Sequence, residues 1–263
     1  MSEAIRLTGV SKTYLTLDNT PVTALSEVNL GIERGQFVSL LGPSGCGKST
    51  CLRIVDGVID PDPGGRVLLD GKPVLGPGFD RARIFQGFAL LPWKTVRENV
   101  ELGLRWRGAP AVERRRVSDR YLEMIGLTAF AGKYPSELSG GMKQRVGIAR
   151  ALALDPDILL ADEPFASVDA LTREVLQDEL LLIWSDTKKT VLFVTHSIEE
   201  AIYLSDRIIV FSGSPGRVVA DIQVPFARPR EHRMKESPEF GRLREEIWSR
   251  HLSRSAGEAV VET

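Results

Sequence analysis

The sequence carries no strong excess of charge of either sign. Its 263 residues include 34 lysines and arginines against 35 aspartates and glutamates, which gives a net charge of −1. Proteins that bind nucleic acids usually have an excess of basic residues or a basic face. The even balance therefore argues against a nucleic-acid partner.

Long hydrophobic runs are missing as well. No apolar stretch approaches the ~20 residues that a membrane-spanning helix needs. The N-terminal stretch MSEAIRLTGV lacks the charged and then apolar pattern of a secretory signal. A role at a membrane would require another chain to span it, and we expect a cytoplasmic protein.

Cysteine is scarce, since the chain contains only Cys46 and Cys51. The two lie five residues apart in one predicted helix, where their side chains point in different directions. This geometry is poor for a disulfide bond and fits a reducing compartment. A position near a helix N-terminus could lower the pKa of the Cys46 thiol, but we do not expect redox regulation.

Alternating strand and helix patterns predict an α/β fold. Apolar strands that alternate with helices, such as the helix predicted at 48–58, indicate a mostly parallel sheet covered on both faces. Short apolar runs predict the buried strands at 35–42, 81–86, 157–164 and 190–196, and a final strand pair at 206–224.

Two regions depart from this alternation. The N-terminal segments and the stretch GRVLLDGKPV, with Asp70-Gly71 as a hairpin turn, indicate antiparallel β-structure. Helical patterns replace strand signals between residues 92 and 154, which indicates an inserted helical subdomain. The predicted organisation is one domain over 1–225, with a core of about 1–87 and 155–225 and a helical subdomain of about 88–154, followed by a C-terminal extension over 226–263.

The C-terminal extension is polar and arginine-rich until a terminal helix. Ser237 can cap this helix, and Pro238 suits its first turn. We expect its apolar face to dock on the body of the protein, with binding of a partner as the alternative. The residues predicted on that face are Phe240, Leu243, Ile247 and Trp248.

The segment GPSGCGKST (42–50) matches the pattern G-x-x-x-x-G-K-[ST] between a predicted strand and a predicted helix. Its glycines let backbone N–H groups surround phosphates, Lys48 supplies positive charge, and Ser49 offers a hydroxyl to Mg²⁺. A chance glycine-rich turn is the alternative. Guanine-specific GTPases usually carry an N-K-x-D segment, and no Asn-Lys pair occurs here, so we expect ATP. The predicted nucleotide-binding residues of this loop are Gly42, Pro43, Ser44, Gly45, Cys46, Gly47, Lys48, Ser49 and Thr50.

The segment ILLADE (158–163) places two carboxylates at a predicted strand end. In P-loop enzymes the first acid belongs to the Mg²⁺ shell, which predicts that role for Asp162. Glu163 is then a candidate general base for the attacking water. A pair of solvated acids is the alternative. His196 follows another predicted strand and could lie beside these groups, although a lone histidine there is more often a packing or surface residue.

A second glycine-rich segment, LSGGMKQR (138–145), lies in the helical region. A glycine pair at a helix N-terminus favours an anion, yet this segment is too far along the chain to be assumed part of the same pocket. If both loops bind phosphate, a dimer would let the loop of one subunit complete the site of the other.

These three motifs together resemble the ATP-binding subunit of ATP-binding cassette (ABC) transporters, along roughly residues 4–225. The resemblance implies a P-loop NTPase fold with a RecA-like core, an antiparallel β-subdomain and an inserted helical subdomain. It also implies that two subunits, either identical copies or a copy and a paralogous ATPase subunit, enclose two ATP molecules with Mg²⁺. Met142 stands where many members of the family have glutamine.

The resemblance assigns further roles. Gln86 matches a glutamine that reaches Mg²⁺ and the attacking water, and His196 matches a histidine that contacts the γ-phosphate. Tyr14 matches an aromatic residue that stacks on adenine, with simple packing as the alternative. The residues that would act across the dimer are Ser139, Gly140, Gly141 and Asp169. The predicted catalytic residues are Glu163, His196, Lys48 and Gln86, and the predicted metal ligands are Ser49, Gln86 and Asp162.

Two segments resemble those of importers for nitrate, sulfonate, taurine and related small anions: ALLPWKTVRENV (89–100) and the stretch 212–230. Trp93 would lie where permease subunits dock, and a core role for this apolar run is the alternative. The resemblance implies an ATP-hydrolysing importer subunit, peripheral on the cytoplasmic face of the inner membrane. It would dock on separate permease chains that take substrate from a receptor.

Three competing hypotheses remain. The chain could serve an ABC transporter of another substrate or direction. Soluble ABC ATPases of DNA repair or translation share these motifs, but they usually carry long coiled-coil insertions or two cassettes, and neither occurs in this sequence. A small-molecule kinase with a P-loop would leave LSGGMKQR and the acid pair unexplained.

Overall fold

The computed structural model describes residues 3–252, and the chain divides into two compact units. The first unit combines the chain up to Pro77 with the chain from Thr190 onward, and the second unit is Gly78–Lys189. The boundaries that the sequence predicts for the core and the helical subdomain lie at other positions and stay a prediction. Within residues 3–252, no helix combines the length and apolar character that crossing a bilayer requires.

The first unit contains strands with a few helices between them. Its elements in chain order are β1 (Glu3–Leu15), β2 (Pro21–Glu33), β3 (Phe37–Leu41), α1 (Lys48–Val55), β4 (Arg66–Leu69), β5 (Lys72–Pro73), β8 (Thr190–Thr195), α7 (Ile198–Leu204), β9 (Arg207–Phe211), β10 (Val218–Gln223), a 3₁₀ helix at His232–Glu236, α8 (Pro238–Ile247) and a π-helical turn at Trp248–Leu252.

The N-terminal strands form an antiparallel sheet in the order β2, β1, β4, β5. Asp70 and Gly71 join β4 to β5 with φ values of 48° and 76°. Positive φ at both central residues is the requirement of a type I′ turn, whose twist matches that of the flanking strands. The predicted hairpin and its turn are confirmed.

A mostly parallel sheet forms the rest of the first unit. β3 pairs in parallel with β8 and β9, and β10 is antiparallel to β9. Every residue of β3 and β8 is buried, as expected for apolar strands covered on both faces. The predicted strands at 35–42 and 190–196 are confirmed, and their carboxyl ends lie at the same edge of the sheet.

The second unit is mainly helical, and its two strands β6 and β7 pair in parallel. Helices follow one another from Val96 to Ala153, where the sequence predicts them. The elements are β6 (Arg81–Ile84), α2 (Val96–Val100), α3 (Leu102–Trp106), α4 (Ala111–Met124), 3₁₀ helices at Thr128–Phe130 and Pro135–Glu137, α5 (Gly140–Ala153), β7 (Ile158–Asp162) and α6 (Ala170–Thr187).

The C-terminal helix α8 docks as the sequence predicts, with one correction. Phe240 and Ile247 are buried in the core of the first unit, and Leu243 packs against the same cluster. Trp248 was also expected on this face, and that expectation is wrong because its side chain is 49% exposed. Consecutive helical residues are about 100° apart, so Trp248 turns away from the face centred on Ile247. The part of the C-terminal extension beyond residue 252 lies outside the described residues.

Two arginines attach the extension to α7. Arg230 is buried and donates to the carbonyl oxygens of Ile202, Tyr203 and Ser205 at 3.0, 2.9 and 2.7 Å. These are carbonyl groups at the end of a helix, which lack intrahelical partners. Burial lowers the pKa of Arg230 to about 10. Arg228 donates to the carbonyl oxygen of Leu204 at 2.7 Å and pairs with Asp206 at 2.8 Å, so this polar stretch is anchored to the end of α7.

Phe240→Ala is expected to lower the free energy of unfolding by about 3–5 kcal/mol, because Phe240 is only 2% exposed. Equilibrium unfolding in urea measures the loss. Trp248→Ala, at the residue that follows α8, is the control, and its cost should stay below about 1 kcal/mol. Equal losses in the two variants would contradict the docking of α8 through Phe240.

Candidate functional site

The segment 42–50, called the phosphate loop below, connects β3 to α1. Its shape depends on the close approach of the Gly47 backbone to the carbonyl of Ala24. Gly47 has a φ of 92°, and a Cβ atom there would lie 2.4 Å from the carbonyl oxygen of Ala24. Only glycine fits both this left-handed conformation and this contact. Gly47 is also the N-cap of α1, and because glycine has no side chain, no capping side chain occupies the N–H groups at the start of this helix. The first N–H groups of α1 are therefore oriented as an anion-binding helix terminus requires.

Lys48 is buried inside this loop. Its Nζ donates to the carbonyl oxygens of Gly42 and Pro43 at 2.7 and 2.8 Å, and it lies 3.7 Å from the Sγ of Cys46. The lysine is the first residue of α1, so its charge adds to the positive end of the helix dipole. The loop thus concentrates positive charge at one point.

The cysteines of this region are free thiols, both buried. Cys46 lies in the loop, because α1 begins only at Lys48, and not in one helix with Cys51 as the sequence suggests. Desolvation raises the pKa of Cys46 despite Lys48 nearby, which corrects the suggestion that a helix N-terminus lowers it. Burial raises the pKa of Cys51 to about 12. Both thiols are therefore protonated at neutral pH and poor nucleophiles.

His196 leaves the same edge of the sheet as the phosphate loop. Leu41 pairs with Thr195, so Gly42 and His196 follow neighbouring parallel strands. The hydroxyl of Thr195 accepts a hydrogen bond from the N–H of Ser197 at 3.0 Å, which fixes the turn in which the exposed His196 lies. The first unit therefore places His196 and the phosphate loop at the same edge of the sheet. The expectation that His196 lies beside Asp162 and Glu163 stays a prediction.

Tyr14 lies near the end of β1, opposite Val22. Its side chain is 37% exposed, and the Nζ of Lys12 is 5.8 Å from the ring centroid. A ring this exposed is not a core residue. Its adenine-stacking role stays a prediction.

Asp162 and Glu163 follow each other at the end of β7. Asp162 is buried, and Glu163 has a φ of 43°. Left-handed backbone at a residue other than glycine costs about 1–3 kcal/mol and is common at functional sites. The carbonyl of Glu163 accepts from the N–H of Ala166 at 3.2 Å. The strand therefore ends at Asp162 and the chain turns at Glu163.

Sequence reasoning missed Arg83, the ion-pair partner of Asp162. The Nη2 of Arg83 lies 2.5 Å from a carboxylate oxygen of Asp162, and the side chains are 9% and 12% exposed. The two residues lie on adjacent parallel strands. The signal in the sequence is the presence of two arginines, Arg81 and Arg83, in a short predicted strand.

Gln86 follows β6 in a segment with unusual backbone. Its side chain is exposed, and its carbonyl accepts from the hydroxyl of Ser167 at 3.4 Å, so Gln86 lies near the turn that follows Glu163. Phe88 and Ala89 have φ values of 59° and 48°. Arg150 on α5 donates to their carbonyl oxygens at 3.0 and 2.5 Å. Arg150 was also missed, and it ties this segment to α5.

The segment after Gln86 presents Trp93 to the surface. Trp93 is 69% exposed, which rules out the core role considered for this residue. Buried Asn99 accepts from the N–H of Leu91 at 2.8 Å and donates to the carbonyl oxygens of Leu91, Lys94 and Thr95 at 3.2, 3.1 and 2.9 Å. Asn99 therefore holds the loop that carries Trp93 in a defined shape.

The signature loop LSGGMKQR starts α5 as the sequence predicts. Ser139 is the N-cap, and its hydroxyl accepts from the N–H of Met142 at 3.3 Å. Ser139 and Gly140 are exposed, whereas a Cβ at Gly141 would lie 2.6 Å from the Cγ2 of Thr172. Glycine at this position lets the start of α5 approach the start of α6.

Asp169 and the signature loop both contact Thr172. It is the N-cap of α6 and accepts from the N–H of Thr172 at 3.0 Å, and this bond lowers the pKa of Asp169. The second unit therefore groups the signature loop with Asp169, and Gln86 with the turn after Glu163. The functional roles of these residues stay predictions.

The residues present fit a Mg²⁺-bound nucleoside triphosphate. A buried lysine, an uncapped helix N-terminus and a close-packed glycine are the groups that bind the outer phosphates. In the first unit the hydroxyl of Ser49, and in the second unit the carboxylate of Asp162, are oxygen groups of the kind that Mg²⁺ prefers as ligands. Their shared role at one metal ion stays a prediction.

A family model described as ABC transporter matches residues 25–166, which is more than half of the chain. This span contains the phosphate loop, the signature loop and the acid pair. The chain belongs to the ABC transporter family.

Curated relatives extend the similarity over most of this ABC protein. It is 52% identical over 225 residues to a putative ATP-binding protein of Brucella abortus, which covers 86% of each chain. It is 46% identical over 242 residues to the nitrate import ATP-binding protein of Synechococcus elongatus, covering 90% of this chain and 87% of that protein. It is 51% identical over 231 residues to the taurine import ATP-binding protein of Rhizobium johnstonii, covering 86% and 88%.

Solved ABC structures share the fold. A dimeric ATP-binding cassette in a post-hydrolysis state, bound to ADP and Pi, has a TM-score of 0.74 and 38% identity, covering 85% of this chain and 100% of that chain. A second solved structure, a dimeric bacterial ABC transporter cassette, has a TM-score of 0.75 and 37% sequence identity, and it covers 85% of this chain and 100% of that chain. The predicted P-loop NTPase fold is confirmed, and the chain is an ABC ATPase that uses ATP and Mg²⁺.

Proposed function

We propose that the chain is the ATP-hydrolysing subunit of an importer for small anions such as nitrate or taurine. The observation that carries this proposal is the 46–51% identity to nitrate and taurine import ATP-binding proteins over 86–90% of the chain. The exposed Trp93 supports it, because this apolar side chain is available for a permease. The proposed location is the cytoplasmic face of the inner membrane.

The proposed assembly is a head-to-tail dimer that docks on separate permease chains. The solved relatives are described as dimeric, and the exposed Ser139 and Gly140 are accessible to a second subunit. We propose that Ser139, Gly140 and Gly141 contact the nucleotide bound by the partner, with Asp169 facing that partner. The partner is a second copy or a paralogous ATPase subunit, and a receptor would deliver the anion to the permease.

In the proposed mechanism, the phosphate loop binds the outer phosphates through its N–H groups and Lys48, and Tyr14 stacks on adenine. Ser49, Asp162 and Gln86 would hold Mg²⁺, which neutralises charge on the transferring phosphoryl group when bound. The loop is preorganised, because Gly47 packs against the carbonyl of Ala24 and the Nζ of Lys48 is held by the carbonyl oxygens of Gly42 and Pro43. Preorganised donors stabilise the transition state without reorganisation at the moment of reaction.

Glu163 and His196 would complete the chemistry. Glu163 accepts a proton from water as the water attacks the γ-phosphate, and His196 donates a hydrogen bond to that phosphate. Closing and reopening of the dimer would then move the Gln86 segment and Trp93 against the permease. A loaded receptor that favours the closed dimer also raises the population of the state that hydrolyses ATP, so it should stimulate hydrolysis.

Reconstitution tests the proposed function. The chain, with the permease and receptor of its proposed transport system, is placed in proteoliposomes. Receptor loaded with nitrate or taurine on the outside should raise ATP hydrolysis by about tenfold and drive uptake. A complex that carries Glu163→Gln is the control and should give neither response. Outward movement of the anion, or hydrolysis indifferent to the loaded receptor, would contradict the proposal.

A further inference from the structure

Strand β6 places a cation against the carboxylate that is proposed to bind Mg²⁺. In the parallel register, Arg83 lies opposite Leu160, two residues before Asp162 at the end of β7. The Nη2 of Arg83 is 2.5 Å from an oxygen of Asp162, and neither side chain is more than 12% exposed. Because water screens so little at such depth, this pair interacts more strongly than a surface ion pair.

The same guanidinium contacts the residue next to Gln86. The Cζ of Arg83 lies 5.0 Å from the ring centroid of Phe85, within the range of a cation–π interaction. Phe85 thus holds the guanidinium from a second side. Arg83 is therefore oriented by two contacts, and its charge is fixed beside Asp162.

We propose that Arg83 is a positioning residue that orients the Asp162 carboxylate and sets the affinity of the ATP-bound site for Mg²⁺. The inference rests on the proposed function, in which Asp162 belongs to the Mg²⁺ shell. Guanidinium and Mg²⁺ are both cations that bind the same carboxylate, so Arg83 reduces the negative charge available to the metal. Arg83 therefore raises the Mg²⁺ concentration at which the nucleotide site fills.

The test measures binding and not turnover. The full-length chain is titrated with Mg²⁺ in the presence of a fluorescent, non-hydrolysable ATP analogue, and the half-saturating Mg²⁺ concentration is read from the fluorescence. Arg83→Met removes the charge but keeps an unbranched side chain beside Phe85. We expect the half-saturating concentration to fall about tenfold, because a cation held against a metal ligand at low effective dielectric repels the incoming Mg²⁺ strongly.

Arg81→Met is the matched control. Arg81 lies on the same strand, is equally buried and pairs with Asp80 at 2.8 Å, but Asp80 has no proposed role at the metal. The half-saturating Mg²⁺ concentration of Arg81→Met should match that of the unmodified chain. Arg83→Lys retains a positive charge near Asp162, so the repulsion of Mg²⁺ remains and the half-saturating concentration should stay within about threefold of that of the unmodified chain. Thermal melting checks that each variant is folded, and if Arg83→Met does not fold, Arg83→Gln takes its place.

Three outcomes decide the matter. An unchanged Mg²⁺ requirement in the folded neutral variant overturns the inference. A shift of equal size in Arg83→Lys also overturns it, because the charge would not be the cause. If the unmodified chain binds the analogue without any dependence on Mg²⁺, the proposed metal site itself fails, and this result is separate from any effect at Arg83.

Discussion

Glu163→Gln is expected to lower ATP hydrolysis by a factor on the order of 10²–10⁴, the usual contribution of a general base. Glutamine has nearly the same size and can adopt the same left-handed backbone at the end of β7, where Glu163 has a φ of 43°. Its amide cannot accept a proton from the attacking water. ATP binding should survive, because the phosphate loop does not depend on this carboxylate.

The same variant should accumulate as a dimer when ATP is present. If the nucleotide holds two subunits together and hydrolysis separates them, a subunit that binds without hydrolysing remains associated. Light scattering after size exclusion measures the mass with and without ATP. A variant that stays monomeric at high concentration with saturating ATP would contradict the proposed assembly.

Glu113→Gln is the matched control for this change. Glu113 is exposed in the first turn of α4, so the same loss of one negative charge occurs away from the acid pair. Hydrolysis should remain within about twofold of the unmodified chain, as is usual for surface substitutions. A comparable loss in both variants would show that net charge, and not the position of Glu163, is responsible.

The parts of the site that could be predicted from the sequence are those set by local signals. Glycine spacing defines the phosphate loop, apolar runs define β3, β7 and β8, and a serine before two glycines defines the start of α5. Each of these signals acts over a few residues, through backbone sterics, capping or burial. The hairpin turn at Asp70-Gly71 is predictable for the same reason.

The parts that could not be predicted depend on strand register and helix rotation. Arg83 and Asp162 are 79 residues apart in the chain, and Arg150 and Ala89 are 61 residues apart. Nothing local marks these pairs, because they exist only once β6 lies against β7 and α5 lies beside the Gln86 segment. Trp248 was misplaced for a related reason, since one residue of rotation decides which side of α8 faces the core.

Ser139 can serve the helix and a nucleotide at once. Its oxygen accepts from the N–H of Met142, while a hydroxyl has one donor and two acceptor positions. The O–H therefore remains available for a phosphate oxygen. Since Ser139 is exposed, a bulky replacement should leave the fold intact at a cost of about 1 kcal/mol for the lost cap, yet block a phosphate that comes from another subunit.

Mixing two inactive variants tests whether the loops meet across subunits. Lys48→Ala removes the charge of the phosphate loop, and Ser139→Arg obstructs the signature loop, so each variant alone should hydrolyse little ATP. In a mixed dimer, the intact Lys48 of one chain meets the intact Ser139 of the other at one of two sites. An equal mixture with the permease present should regain about a quarter of the unmodified activity, since half of the dimers are mixed and each has one whole site.

A second mixture combines the double variant Lys48→Ala/Ser139→Arg with the unmodified chain. In this mixture, loops that act across subunits should give less activity than loops that act within one chain. If the loops act across subunits, both sites of the mixed dimer contain a defect, and only unmodified dimers contribute. If the loops act within one chain, the unmodified subunit keeps a whole site in every mixed dimer, whereas the two single variants never regain activity together. Two results together therefore require that each nucleotide be enclosed by two chains. The mixture of single variants must regain activity, and the mixture with the double variant must show only the activity of its unmodified dimers. The reverse pattern would place the signature loop and the phosphate loop at the same nucleotide within one chain.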